Sequence, residues 1–532
     1  EEEEEEFNKA DIEVACMLLG SVSFVMVLLR LVNWHDDDVR RYAWRIISAT
    51  MSIFAAVLFF QGNMQMLELF MEDQEFNVGL QCLCHYLHCM VYLCALAATI
   101  VRISGSANPA DKVDLDEDVW VVGEYLFADY GEKVTAGDVR AVKRDGEKSK
   151  ATKSVYTDKY KMEVTVEKKK SELFMRTEQM RCWATLLAHM GGFAAIRAGG
   201  ALQHMHPFKD TPAGAFLAMV LTAVFLLMCF HVLGMLRDRA NKIRDSAGAS
   251  KKGTRKKLMT EEVVESENDV LSLAMSFLTV QALRFVVSGV LPDPEGLEEP
   301  EIPIKMRYVY ITVGAGFLFV IAAVGLIVGM SKMHEKPEGH QKVPQGEGEH
   351  GHGHGEHEEE HEGPAERLLT SIMNAMMMCF AWCLFWGSRW YGLTLVKEGQ
   401  SSFVDVHKLF GTVVMALVLS FMVCGVVIVL DQVEDKMKSA GGAKVGPQAI
   451  QSIILSLGIL VGFAWEHCFD VGVCAMASKA QSPAIAKFFM GIACVLGIVP
   501  PWRSHILSKA MHLENLAKIR QESAKNLPGA NA

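Results

Sequence analysis

The chain has 532 residues, a net charge of −11 and 51% hydrophobic residues. Its apolar residues are gathered into long charge-poor blocks, and a bilayer core needs about 20 such residues per helical span. Eleven blocks of that kind exclude a soluble protein as the working reading, and nothing suggests a nucleic-acid partner.

Residues 1–10 form an acidic tail that opens EEEEEE. Span 1 (11–32) has Asp11 and Glu13 at its start and Arg30 near its end, and reads as a membrane span rather than a cleaved signal. Span 2 (43–62) carries FAAV at Phe54 and is followed by NMQMLELFM, which places Met64, Met66 and Met71 in an outer segment. Span 3 (78–103) opens QCLCHYLHCMVYLC. At about 100° per residue, Cys82, His85 and Cys89 share one helical face, with His88 adjacent. Sulfur and imidazole together suit copper(I) or zinc, although cysteine is also an ordinary small residue of membrane helices.

Residues 104–181 form the longest loop. VWVVGEYLFADY and SVYTDKYKMEVTVEKK read as strands, and KRDGE between them is a turn signal. A small β-rich cytosolic insertion is the expectation, with a charged linker as the alternative. Spans 4–7 then occupy 182–330. Span 4 (182–203) carries FAAI at Phe193, then Arg197, and leads into QHMHP with His204, Met205 and His206. Span 5 (211–236) is followed by RDRANKIR and KKGTRKK. Span 6 (269–290) carries QALR at Gln281, ending on Arg284, and span 7 covers 307–330.

Residues 331–366 are rich in Gly, Glu and His, a composition that forms no packed core without a ligand. The run HGHGHGEHEEEH contains His350, His352, His354, His357 and His361, which could hold a divalent metal when the imidazoles are neutral. This run resembles the histidine-rich loop between spans of zinc transporter families. The resemblance covers this loop alone, since the paired intramembrane His/Asp motifs of those families are not seen.

Spans 8–11 occupy 367–501. Span 8 (367–389) carries FAWC at Phe380, and Trp382, Trp386 and Trp390 line one face with Arg389 beside them, as in an interfacial aromatic belt. Span 9 covers 406–430. Span 10 (450–472) carries FAWE at Phe463 within WEHCFD, where Glu466 and Asp470 share a helix face and His467 lies beside them. Span 11 covers 482–501. In 502–532, Ile506, Ala510, Leu513, Leu516 and Ile519 predict an amphipathic helix before a polar tail.

The fold class is therefore all-α, a polytopic transmembrane bundle of about 11 spans. The F-A-small strings recur on spans 2, 4, 6, 8 and 10, each before a short loop and a returning span. That pattern predicts five parallel two-helix repeats preceded by one extra helix. Lys and Arg concentrate in the loops after spans 1, 5, 7 and 9 and in the tail, which puts the N-terminus outside and the C-terminus in the cytosol. Small-residue pairs at Gly191–Gly192 with Gly199–Gly200, Gly325 with Gly329, and Gly458 with Gly462 predict close helix packing. All 13 cysteines lie in or beside hydrophobic blocks, so no disulfide framework is indicated.

Ionisable groups inside spans are costly and mark function or structural pairing. Arg197, Arg284 and Glu466 hold nearly equivalent places in three repeats. The bland reading pairs Glu466 with one arginine; the sharper reading lines a solute pathway with all three, together with His467 and Asp470. No phosphate loop, HExxH or hydrolase elbow is present, so an enzyme is not expected. The leading expectation is a transporter or channel for a small cation or other small solute, with zinc or copper as candidate cargo. One alternative is a membrane scaffold or receptor without transport. Another is a haem or redox protein using His85, His88, His189 and His231.

Overall fold

The computed structural model describes residues 9–105, 172–246, 253–298, 304–334, 364–399, 405–439 and 445–525. Among these the structure is helical, without strands. In chain order the long helices are α1 (Lys9–Val32), α2 (Asp37–Asp73), α3 (Val78–Ile103), α4 (Glu172–Gln203), α5 (Pro212–Ser246), α6 (Gly253–Ser288), α7 (Met306–His334), α8 (Pro364–Lys397), α9 (Leu409–Ser439), α10 (Val445–Ala477) and α11 (Pro483–Pro501). One π-helical turn at Trp502–Leu507 then leads into α12 (Ser508–Lys525). The His-rich run and the strand-like segment from 106 to 171 lie outside the described residues.

Ten segments among the described residues are long and apolar enough to cross a membrane. The chain is a multi-pass membrane protein by that measure. The expected eleventh, span 4, is a helix of 32 residues but is not among the ten. Within 182–203, Arg197, His189 and four glycines dilute its apolar run.

Helix ends follow local chemistry. Asp36 caps α2, with its side chain accepting from the backbone of Asp38 and Val39, and Asp37 and Asp38 put negative charge at the positive end of the helix dipole. Proline opens α5, α8 and α11, where a missing N–H costs nothing. Gly289, at φ +80°, ends α6 in a left-handed conformation that side chains resist. Several helices outrun their apolar blocks. The NMQMLELFM stretch, expected as an outer loop, is the last part of α2. Residues 172–181, expected in the insertion, begin α4. Polar residues at these ends carry a helix on past the apolar block, and hydropathy does not register it.

The chain divides into two compact units. The first comprises 1–95, 185–232 and 265–532. The second comprises 96–184 and 233–264, where Met180, Cys182, Leu258, Met259 and Val263 are buried and Arg181 pairs with Glu262 at 3.9 Å.

In the first unit α10 is the central element, packing on α1, α2, α7, α8, α9 and α11. Its most apolar window is 78% buried, against 17% for the candidate span that begins at Pro483. Close packing rests on small residues. A Cβ on Gly458 would meet Ile46 at 3.0 Å, and one on Gly462 would meet Ile53 at 3.0 Å. Gly62 lies against the Phe488 backbone, so α2 closes on both α10 and α11. Gly192 and Gly199 likewise admit Leu273 and Leu278. Gly325 and Gly329, expected to pack, meet nothing within 4 Å. Outward faces are apolar, with Leu19, Leu318, Ile321 and Leu496 largely exposed, as lipid contact requires.

The middle of this unit is an aromatic cluster drawn from all five even-numbered helices up to α10. Phe463 stands 5.5 Å from Phe193 and 4.2 Å from Trp382, ring centre to ring centre. Phe60 reaches Phe193 at 6.2 Å, and Phe277 reaches Trp382 at 5.0 Å. Phe193 and Phe463 are the lead residues of two of the recurring strings.

Candidate functional site

Just beyond the aromatic cluster, the C-terminal parts of α2, α4, α6, α8 and α10 carry charge into the unit. Each charge is placed by its helix, and one decisive carboxylate comes from the connection between α6 and α7. There the sequence LPDPEGLE turns back on α6. Asp293 Oδ1 accepts from the backbone N–H of Glu295 at 2.9 Å and of Leu297 at 2.7 Å. Gln281 donates to the carbonyls of Pro292 at 3.1 Å and Asp293 at 2.6 Å. Burial pushes the Asp293 carboxyl up from its ordinary value, against those two backbone bonds. Gly296 sits at φ +87°, and a Cβ there would meet Trp386 at 2.6 Å. The turn thus delivers Glu298 into the interior, where it is 8% exposed.

Glu298 bridges two guanidiniums. Its Oε1 accepts from Nη2 of Arg284 at 2.7 Å, and its Oε2 accepts from Nε of Arg389 at 2.7 Å. Arg284 is fully buried and also donates to the Gly296 carbonyl at 2.6 Å. Its cation lies 4.0 Å from the Trp386 ring centre and 5.0 Å from that of Trp390. The three tryptophans expected in an interfacial belt are interior: Trp386 and Trp390 cover a buried cation, and Trp382 packs in the aromatic cluster. Arg389 further donates to the Val406 carbonyl at 3.3 Å and meets Nε2 of His467 at 2.9 Å. A guanidinium has no acceptor, so Nε2 of His467 accepts and the ring is neutral with its proton on Nδ1.

Arg197 turns elsewhere. It pairs with Glu68 of α2 and, at 3.4 Å, with Glu295. The expected pairing of Glu466 with an arginine does not occur, since Arg197 and Arg284 take carboxylates from α2 and from the α6–α7 connection. Both of those lie outside the apolar blocks, where nothing in the sequence marks a carboxylate as turned inward.

Glu466 is 7% exposed. Its hydrogen bond among the described residues comes from the neutral amide of Gln61 at 3.2 Å. One turn on, Asp470 is paired with Lys487 of α11 at 2.7 Å, and Lys487 also donates to Cys474 Sγ at 3.1 Å. Glu466, Asp470 and Cys474 recur every four residues on one face of α10. Asp470, open to a solvated reading from sequence, has a side chain 20% exposed and an ion-pair partner 5% exposed. This face holds two carboxyl groups and one ammonium, and the ammonium is taken by Asp470, so Glu466 has no ion-pair partner among the described residues.

The α3 donors are buried differently. Cys82 and His85 are 5% and 6% exposed. His88 stacks on Phe60 at 5.8 Å, and Cys89 Sγ approaches the Gly191 carbonyl at 3.7 Å. They do not bring three ligand atoms together; among the described residues that happens only at Asp36, Asp431 and Asp435. His85 and His189 are buried with Nδ1 unpartnered, while His231 is exposed. His204 Nδ1 lies 2.8 Å from the Gly200 carbonyl, and His206 Nδ1 lies 2.8 Å from Asp210. Met64 and Met71 are packed inside at 4% and 3% exposure. His350, His352, His354, His357 and His361 lie outside the described residues.

No family model, curated protein or solved structure matches this chain.

Proposed function

We propose that this protein moves a small cation, or another small solute, across the bilayer along the face of α10 that carries Glu466. The observation that carries the reading is the buried Glu466 carboxyl on that face, bonded by Gln61 and without an ion-pair partner among the described residues. A buried carboxylate served by a neutral amide is expensive inside a membrane protein and marks a place where a cation or proton adds stability. Oxygen donors there favour a hard ion or a proton over a soft metal. Zinc or copper as cargo is the narrower form of the proposal and rests on the run from His350 to His361 and on Cys82, His85, His88 and Cys89.

Arg284, Glu298 and Arg389 are assigned a structural role, since the two guanidiniums share the Glu298 carboxylate and are each held further by a backbone carbonyl. The N-terminus is proposed outside and the C-terminus cytosolic, with five two-helix units after α1. The carrier function is tested by reconstituting the full chain into sealed vesicles and measuring uptake of protons, sodium, potassium and zinc separately. Flux of one ion above protein-free vesicles is expected. Its absence for every ion and for neutral solutes would leave the scaffold reading.

A further inference from the structure

At the opposite end of α2, about 36 Å along the helix from Gln61 at 1.5 Å per residue, three carboxylates converge. One oxygen each from Asp36, Asp431 and Asp435 lie within 4.8 Å of one another. Asp36 is the residue that caps α2, so its position is fixed by the N–H groups of Asp38 and Val39 at 2.7 and 3.1 Å. Asp431 and Asp435 stand one turn apart near the end of α9.

Acidic side chains often gather in solvent without a ligand, but Asp431 is 4% exposed and its Oδ1 has no hydrogen-bond partner. An oxygen so placed has given up hydration and received nothing. After burial itself, the largest electrostatic influences on it come from Asp36, Asp435, Asp38 and Glu434, all acidic. Asp38 is itself paired with Arg41 at 2.9 Å. Glu434 is occupied by the Tyr42 hydroxyl at 2.6 Å and by Gln451 at 3.3 Å. The protein thus concentrates negative charge around a buried, unserved oxygen.

We infer that Asp36, Asp431 and Asp435 form a binding site for a hard divalent cation of the calcium or magnesium class. The donor set is all oxygen, which suits hard ions and not copper(I) or zinc. Two oxygens on one calcium, each at about 2.3–2.6 Å, are at most about 5 Å apart, which is the spacing these carboxylates already have. The bound ion ties the start of α2 to the end of α9. It is independent of the proposed pathway, which uses the far end of α2.

The test is isothermal titration of the purified full chain with calcium chloride and, separately, magnesium chloride. One saturable equivalent is expected for at least one of the two, weakened tenfold or more in Asp431→Asn and retained in Asp405→Asn, a carboxylate outside both proposed sites. Asp435→Asn, at an exposed position, shows the same loss and serves if Asp431→Asn fails to fold. The histidine- and glutamate-rich run is present in every variant, so any binding it contributes stays constant. No saturable binding to the intact chain, or unchanged affinity in the aspartate variants, overturns the site.

Discussion

Arg389 donates to Nε2 of His467 across 2.9 Å, joining α8 to the residue beside Glu466. The contact requires the acceptor form of the ring. His467→Leu removes the acceptor and leaves a buried donor, at a cost of about 1–3 kcal/mol. His467→Gln, whose amide oxygen accepts, restores part of it. Thermal unfolding of the two variants in one detergent should therefore rank Leu below Gln below the parent.

Glu298 is the shared anion of two buried guanidiniums. Glu298→Gln leaves both without a counter-charge and should cost about 3–5 kcal/mol. The check is the loss of monodisperse protein on size exclusion or a large fall in the unfolding midpoint. A neutral effect would show that the two arginines do not depend on it.

Gly296 carries both a positive φ and a contact that no side chain fits. Gly296→Ala must strain the backbone and displace Trp386, with a cost above about 1 kcal/mol. Because the Gly296 carbonyl holds Arg284, the same variant should perturb the tryptophan fluorescence of α8. Gly289→Ala, where nothing lies within 4 Å, should leave that signal unchanged.

Asp405 lies before α9 and is bonded by Lys408 at 2.7 Å and by the His407 backbone at 3.2 Å. Burial alone would raise its carboxyl, but the Lys408 and His407 contacts outweigh it and hold it below its ordinary value. A carboxylate depressed in the folded state adds stability above its unfolded value and loses it as pH falls through the folded one. The difference in stability between the parent and Asp405→Asn should be present at neutral pH and vanish in acid, below the ordinary carboxylate range.

The sequence made the helical class legible because long apolar blocks have few other homes. It also marked Arg197, Arg284 and Glu466, since charge inside an apolar block stands out. Their partners were not legible. Glu295 and Glu298 sit in a polar connection where only the folded turn, built on Asp293 and Gly296, shows that one of them enters the interior. Glu68 and the buried Met64 lie beyond the block that ended span 2, in a helix that continues because its residues favour it. Arg389 was visible but looked like a helix-end charge, and the tryptophans beside it looked like a belt. Which side of a helix faces the protein, rather than lipid, is decided by neighbours that no single span reveals.

In the proposed function, Glu466 takes part in moving the cargo while the arginine network only holds the helices. Flux into vesicles should be compared for the parent, Glu466→Gln and Glu466→Asp at matched amounts of folded protein. A fall of tenfold or more is expected in Glu466→Gln, with partial recovery in Glu466→Asp. Flux in Glu466→Gln equal to that of the parent would contradict it.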